Sequence, residues 1–372
     1  MVQKIRVPVS AQVTGQPEAD NLAIAAMSGQ YAAGEWTQKF ERGFSKFMGV
    51  RHTLLCNSGS SANLLAMTAL ELPKGSEVIT SAVNFPTTVN AIIQLGLVPV
   101  FVDADPKTLN ARRHIGKYAA GIFAHTLGNP ADIMPTDYPI IEDCCDAIGG
   151  TINGHMVGRK GVMATASFYP AHHITMGEGG AVMTDSPRLK KIIESYRDWG
   201  RDCWCAPGCV NTCGTRFDND YDHKYTYSRI GYNLKASDLQ AAVGVAQLDR
   251  LQGFIQRRIE NWNYLRDALD GLPLEFVEAT PDSRPAWFGF AFMATDRNKL
   301  ARYLDEKGIG NRPIMAGNLL RQPAYKDIEH RVIGNLDGAN KIHEQGLWVG
   351  VYPGIDNEMR EYQVKTIKEF YA

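Results

Sequence analysis

The sequence predicts an α/β protein built on a mostly parallel sheet, followed by a smaller C-terminal α+β domain. Two observations carry that expectation. From His52 onward, short apolar runs alternate with segments of helical character, the rhythm of βαβ units. A long helical pattern then follows Ser237-Asp238 and runs to Leu269, long enough to bridge two domains. It divides the chain into a large domain of residues 1–269 and a small one of residues 270–372. With 372 residues and 44% hydrophobic content, the chain is too long for one small core and too apolar to be disordered.

Residues up to about 20 read as an irregular arm, and a helix begins near Pro17 and closes at Met27-Ser28-Gly29. A second helix, Glu35 to Met48, carries Phe40, Phe44 and Phe47 on one face and stops at Gly49. Aromatics at that spacing are core. His52 to Cys56 is a buried-strand candidate, and Asn57-Ser58-Gly59-Ser60-Ser61 opens a helix reaching Leu72. Strands are expected at Glu77 to Ser81, Val98 to Val102, Ala120 to Ala124 and Pro139 to Glu142, with a helix from Pro86 to Leu95. Carboxyl ends of such parallel strands are where ligands bind. Pro187 to Trp199 reads as a helix, and residues 200–229 as a long insertion rich in Cys, Gly, Asp and Tyr. The helix after Ser237 is expected to bury Leu239, Val243, Ala246 and Leu248. The remainder suggests a strand from Trp287 to Met293, a helix from Arg297 to Lys307 and a final helix after Asp356.

The formal charge of −1, from 39 Lys+Arg against 40 Asp+Glu, provides no basic surface suited to nucleic acid. No apolar run approaches the roughly 20 residues that span a bilayer, and MVQKIRVPVS lacks the apolar core of a signal peptide. The expectation is a cytoplasmic protein with neither nucleic-acid nor membrane partners. Seven cysteines, several crowded into one loop, favour metal or cluster ligation over disulfides in a reducing compartment.

The chemistry centres on Ser167-Phe168-Tyr169-Pro170-Ala171-His172-His173-Ile174-Thr175-Met176-Gly177-Glu178-Gly179-Gly180, a strand exit, an exposed histidine pair and a glycine-rich turn. Asn57 to Ser61 precedes a helix, where backbone amides and the helix dipole favour a phosphate, although an ordinary serine N-cap would look the same. Asp143, in Glu142-Asp143-Cys144-Cys145-Asp146, sits at a strand end; alone it reads equally as a cap or a solvated carboxylate. Cys145, Cys203, Cys205 and Cys213 are separated by 57, 1 and 7 residues, a spacing that fits zinc as well as iron and sulfur.

Taken together, Ser58-Gly59-Ser60-Ser61-Ala62, Asn84-Phe85-Pro86-Thr87-Thr88, Phe101-Val102-Asp103, Glu142-Asp143, Ser167-Phe168, Gly177-Glu178-Gly179-Gly180 and Gly231-Tyr232-Asn233-Leu234-Lys235-Ala236-Ser237-Asp238 resemble the sugar aminotransferase family of the DegT/DnrJ/EryC/StrS type, from about residue 20 to the C-terminus. The resemblance implies the fold-type I, aspartate aminotransferase-like architecture and a pyridoxal phosphate cofactor. It implies that Gly59, Ser60 and Ser167 bind the cofactor phosphate, and that Asn233 reaches the phosphate in a neighbouring subunit, so that the site needs a homodimer. It further implies that Phe85 stacks on the pyridine ring and that Asp143 pairs with the ring nitrogen, keeping the ring an electron sink.

One position departs from that family. The fifth residue after Ser167, a cofactor-linking lysine in its aminotransferases, is His172. Imidazole forms no stable Schiff base with pyridoxal phosphate, so the implied cofactor is non-covalent pyridoxamine phosphate (PMP), with His172 as the proton-transfer group. If the segment is extended, His173 points away from His172 and is structural or substrate-contacting. This substitution resembles the sugar 3-dehydratases. The cysteine set, with Arg201-Asp202-Cys203-Trp204-Cys205-Ala206-Pro207-Gly208-Cys209, resembles the CDP-4-keto-6-deoxyglucose 3-dehydratases, which carry a [2Fe-2S] cluster. That resemblance implies Cys145, Cys203, Cys205 and Cys213 as cluster ligands, Cys144 and Cys209 as spare thiols and Cys56 as a buried small hydrophobe. The implied reaction is removal of the C3 hydroxyl from a nucleotide-linked 4-keto-6-deoxyhexose, as in 3,6-dideoxysugar biosynthesis for O-antigen. Its electrons would come from a separate NADH-dependent flavin and iron–sulfur reductase, since no convincing Gly-x-Gly-x-x-Gly follows a strand here. Arg201, Arg229, Arg312 and His125 are candidate diphosphate or sugar contacts. Two alternatives stand beside this reading: a cluster-free enzyme resembling the GDP-4-keto-6-deoxymannose 3-dehydratase, regenerating its amine from glutamate, and a non-catalytic zinc scaffold.

Overall fold

The computed structural model describes residues 6–203, 205, 209, 211–212, 214 and 221–372. Helices α1 (Gln16–Met27) and α2 (Glu35–Met48) precede strand β1 (His52–Cys56). Helix α2 has the expected stripe, with Phe40 and Phe44 fully buried, and ends on Gly49 at φ 68°, where only a residue free of Cβ strain closes the turn cheaply. There follow α3 (Gly59–Thr68), β2 (Glu77–Ser81), α4 (Pro86–Gln94), β3 (Val98–Val102), β4 (Ala120–Ala124) and β5 (Ile140–Asp143). Helix α3 closes at Thr68 rather than continuing to Leu72. Glu71 takes φ 51°, and Pro73 disfavours a helical Leu72.

Next come the two-residue strands β6 (Thr151–Ile152) and β7 (His155–Met156), then β8 (Met163–Ser167), β9 (Gly180–Thr184), α5 (Pro187–Arg197) and α6 (Asp238–Ala268). Helix α6 begins at a capping box in which the Ser237 side chain accepts from the Gln240 amide and Gln240 reaches back to the Ser237 amide. Its buried face differs from the expected one. Ala246 is buried, but Leu239, Val243 and Leu248 are only half-buried, and the contact is made by Ala241, Ala242, Gly244 and Val245 together with Gln247 and Arg258. Small residues let α6 approach α1 and α2 closely.

The remaining elements are β10 (Glu275–Phe276), β11 (Ser283–Arg284), β12 (Gly289–Met293), α7 (Arg297–Glu306), β13 (Asn311–Arg312), β14 (Arg331–Val332), α8 (Asp337–Gln345), β15 (Gly346–Gly350) and α9 (Asn357–Tyr371). The main sheet has the order β1-β9-β8-β5-β4-β2-β3-β14, and all its strands except β9 run the same way. Its central strands are buried on both faces, as parallel strands covered by helices must be. The order β10-β12-β15-β13 forms a second, antiparallel sheet, and β11-β6-β7 a third. Residues beyond 270 thus supply the whole second sheet and also one strand to each of the others.

The carboxyl ends of β1, β2, β4, β5 and β8 open on one side of the main sheet. A cavity of about 1060 Å³ lies there, walled on the far side by residues 312–325 and Trp348. Among the described residues, no helix is long and apolar enough to cross a membrane.

Candidate active site

Gly59, Ser60, Phe85, Asp143, Cys145, Ser167 and His172, separated by more than a hundred residues in sequence, line this one cavity. Each reaches it from a strand end. The β1–α3 turn brings Ser58, whose hydroxyl accepts from the Ser61 amide, and points the N-terminus of α3 into the cavity. A Cβ built on Gly59 would lie 2.6 Å from Ser167 Cβ and 2.9 Å from Ser167 Oγ. A Cβ on Gly180 would lie 2.2 Å from the Ser58 carbonyl oxygen. Two glycines therefore leave a cradle between a helix N-terminus and a serine hydroxyl, with the shape and the donors a phosphate requires.

Asp143 lies deeper, at the end of β5, with 5% of its surface exposed. Its Oδ2 accepts from Asn63 Nδ2 at 2.8 Å and from Thr88 Oγ1 at 2.7 Å, and its Oδ1 from the Cys145 amide at 3.1 Å. Thr165 Oγ1 in turn donates to Asn63 Oδ1 at 2.6 Å, fixing the amide that holds the carboxylate. Phe85, half exposed, caps the N-terminus of α4 beside the same space. A phosphate cradle, an anchored carboxylate and an exposed aromatic face together fit a phosphorylated pyridine: the phosphate at one end, the basic ring nitrogen at the other, the ring stacked between.

After Ser167 the chain turns back on itself instead of extending, and His172 N–H donates to the Tyr169 carbonyl at 2.9 Å. The His172 ring lies 5.3 Å from that of Phe288, and its Nδ1 is 3.5 Å from Asp146 Oδ1. Burial, with the Arg258 guanidinium nearby, depresses the imidazole pKa to about 4, so the ring is neutral near pH 7 and able to take a proton. Asp146 is shifted the other way, up to about 7, by burial and by the charge of Asp143. His173 is buried away from the cavity, its Nε2 bonded to the Ala286 carbonyl at 2.8 Å.

Other candidates lie elsewhere. Asn233 is exposed outside the cavity, accepting from Lys235 Nζ at 2.7 Å. Cys203 lines a separate surface pocket with Glu71, Arg188, Arg201 and Arg229; Cys205 is half-buried, and Cys213 lies outside the described residues. Arg229 pairs with Glu71 at 2.8 Å, while Arg312 lines the central cavity. His125 borders the cavity but is committed to Glu142 at 3.2 Å. Cys56 and Cys144 are buried, and Cys209 is exposed. Asn63, Thr88, Asp146 and Arg258 were not legible as site residues. Thr88 and Asp146 stand inside strings already singled out but carry no visible role of their own there, and Asn63 falls one helical turn after Gly59.

Known proteins resemble this chain in sequence and in fold. The chain is 48% identical to the lipopolysaccharide biosynthesis protein RfbH of Salmonella typhimurium, over 98% of this chain and 92% of that protein. It is 46% identical to the dTDP-4-dehydro-2,6-dideoxy-D-glucose 3-dehydratase of Saccharopolyspora spinosa, over 95% and 85%. The solved structure of the E. coli GDP-4-keto-6-deoxy-D-mannose-3-dehydratase with bound hydrated PLP superposes with a TM-score of 0.90 at 29% identity, over 98% of this chain and 100% of that one. The fold is accordingly that of the PLP-dependent aminotransferases. The family model that matches covers residues 13–368, and the chain belongs to the DegT/DnrJ/EryC1/StrS aminotransferase family.

Proposed function

We propose that this chain is a PMP-dependent 3-dehydratase of a nucleotide-linked 4-keto-6-deoxyhexose. The observation that carries the reading is His172, a neutral imidazole in the cavity wall at the position where the family resemblance places a cofactor-linking lysine. When bound, the cofactor supplies a primary amine for the 4-keto carbon and a ring that accepts an electron pair. The chain's own residues do the rest. Amides at Gly59 and Ser60 and the Ser167 hydroxyl hold the phosphate, Phe85 stacks on the ring, and Asp143 keeps the ring nitrogen protonated. His172 removes a proton from the cofactor methylene and delivers it to the departing C3 hydroxyl. The same neutral imidazole that cannot anchor the cofactor is suited to that transfer.

The reading extends to a homodimer, in which Asn233 of each copy reaches the phosphate in the other, and to one-electron reduction through a [2Fe-2S] cluster on Cys145, Cys203, Cys205 and Cys213, fed by a separate NADH-dependent reductase. Support for the cluster is the cysteine pattern. Among the described residues Cys145, Cys203 and Cys205 do not form a group with all thiols within 4.8 Å of one another, and Cys145 and Cys203 line different pockets. CDP as the nucleotide rests on the cysteine resemblance, whereas the Saccharopolyspora relative is named for a dTDP sugar.

Metal analysis of anaerobically purified protein with added PMP tests the reading. About two irons and two sulfides per chain are expected. PMP binding without iron would favour a cluster-free, glutamate-regenerated dehydratase, and zinc without cofactor binding would sink the dehydratase assignment. Turnover of CDP-, GDP- and dTDP-linked 4-keto sugars identifies the nucleotide.

A further inference from the structure

Arg258, in α6, is the largest fully buried side chain among the described residues, and its hydrogen bonds there go to backbone carbonyls rather than to a carboxylate. Its Nη1 donates to the Phe288 carbonyl at 3.0 Å, and its Nη2 to the carbonyls of Ala171 at 3.2 Å and His172 at 3.1 Å. A buried cation bonded to three backbone carbonyls, with Asp146 a nearby charge but no direct ion pair, is costly as a mere packing device. Burial drops its own pKa to about 10.

We propose that Arg258 is a positioning residue for His172, clamping the Ala171 and His172 carbonyls to the Phe288 carbonyl and so fixing where the imidazole stands in the cavity.

The segment it grips has no regular secondary structure of its own. The other end of the clamp is firm: the Ala286 and Phe288 amides donate to the carbonyls of Gly128 and Leu127, and Phe288 leads directly into β12. The guanidinium fork thus ties the turn carrying His172 to the long helix and to the second sheet at once. Lysine has the charge without the fork. The charge acts too: beside burial, Arg258 opposes protonation of His172 against the charge of Asp143, while Asp146, itself pushed up to about 7, stands 3.5 Å from Nδ1 and His173 is held neutral.

The inference rests on His172 being the proton-transfer group, and the test separates the two. Arg258→Met and Arg258→Lys are compared with the parent and with His172→Asn, each checked for folding by its thermal transition. A misplacement of about 1 Å costs on the order of 100-fold in turnover, so Arg258→Met should lose kcat on that scale with KM and PMP affinity nearly unchanged, and Arg258→Lys should recover part of the loss. In the cofactor-free protein, the His172 ring signals, identified by their loss in His172→Asn, should broaden or split in Arg258→Met and titrate at higher pH than in the parent. A folded Arg258→Met with parent kcat, or with unchanged His172 signals, overturns the clamp. If His172→Asn keeps parent turnover, the role of His172 fails instead, and the ring signals still decide whether Arg258 positions it.

Discussion

His172 Nδ1 and Asp146 Oδ1 stand 3.5 Å apart across the floor of the cavity, yet Nδ1 makes no hydrogen bond among the described residues. Burial favours the neutral form of both groups, pushing the histidine down to about 4 and the aspartate up to about 7. The pair is a poised donor and acceptor rather than a locked ion pair.

Folding therefore excludes a proton from His172 that the unfolded chain binds at the ordinary histidine pKa of about 6.5. Because the folded-state pKa is depressed, the stability contribution is fully present above about pH 6.5 and is lost as pH falls toward 4. By pH 5 the loss from His172 is about 2 kcal/mol. Urea unfolding of the cofactor-free protein at pH 7 and pH 5 should show a drop that is smaller in His172→Asn by about that amount. An equal drop in both proteins would mean that His172 is not held neutral.

Replacing His172 by lysine restores a primary amine to the cavity wall. His172→Lys should bind pyridoxal phosphate covalently, in a form that borohydride reduction fixes to residue 172, and should lose dehydration by roughly the 100- to 10,000-fold that an acid–base group contributes. Dehydration at the parent rate would remove His172 from the mechanism.

The phosphate cradle depends on Gly59. Gly59→Ala would place a methyl group 2.6 Å from Ser167 Cβ, so α3 or β8 must shift. We expect affinity for pyridoxal phosphate to fall about 10- to 100-fold, the equivalent of the 1–3 kcal/mol typical of overpacking. Fluorescence titration measures it. Unchanged affinity would place the phosphate elsewhere.

The strands and the ligand-bearing strand ends were legible because each is a short apolar run, most of them closed by Asn, Ser or Asp, and parallel topology gathers such ends on one side. What the sequence did not reveal depends on long-range pairing. The two-residue strands β6, β7 and β11 carry no period. Strand β15, Gly346–Gly350, is identified only by lying against β12 and β13. Asn63 and Thr88 read as helix interior, and their role appears only when a carboxylate 80 and 55 residues away accepts from both. Arg258 is similar: an arginine in a helix of mixed polarity looks solvated until the fold buries it.

Glu142 presents a cluster that resembles a metal site. The ligand atoms of His125, Glu142 and Cys144 lie within 4.8 Å of one another, all buried. The hydrogen bonds favour a different role. Glu142 Oε1 accepts from the amides of Lys160 at 2.7 Å and Gly161 at 2.6 Å, and Oε2 from the Gly158 amide at 2.8 Å and His125 Nε2 at 3.2 Å. Burial alone would raise its pKa, but these donors, His125 foremost, outweigh burial and lower it. A carboxylate so fully used has no lone pairs facing a cation; it pins the 158–161 turn beneath the sheet. Glu142→Gln would turn an amide N–H toward those donors and should cost about 3 kcal/mol, the scale of breaking a buried charged network. Thermal unfolding with and without zinc distinguishes the roles: a lower transition in Glu142→Gln, and no effect of zinc on either protein, fits the structural one. Stabilisation of the parent by zinc that disappears in Glu142→Gln would instead make His125, Glu142 and Cys144 a metal site.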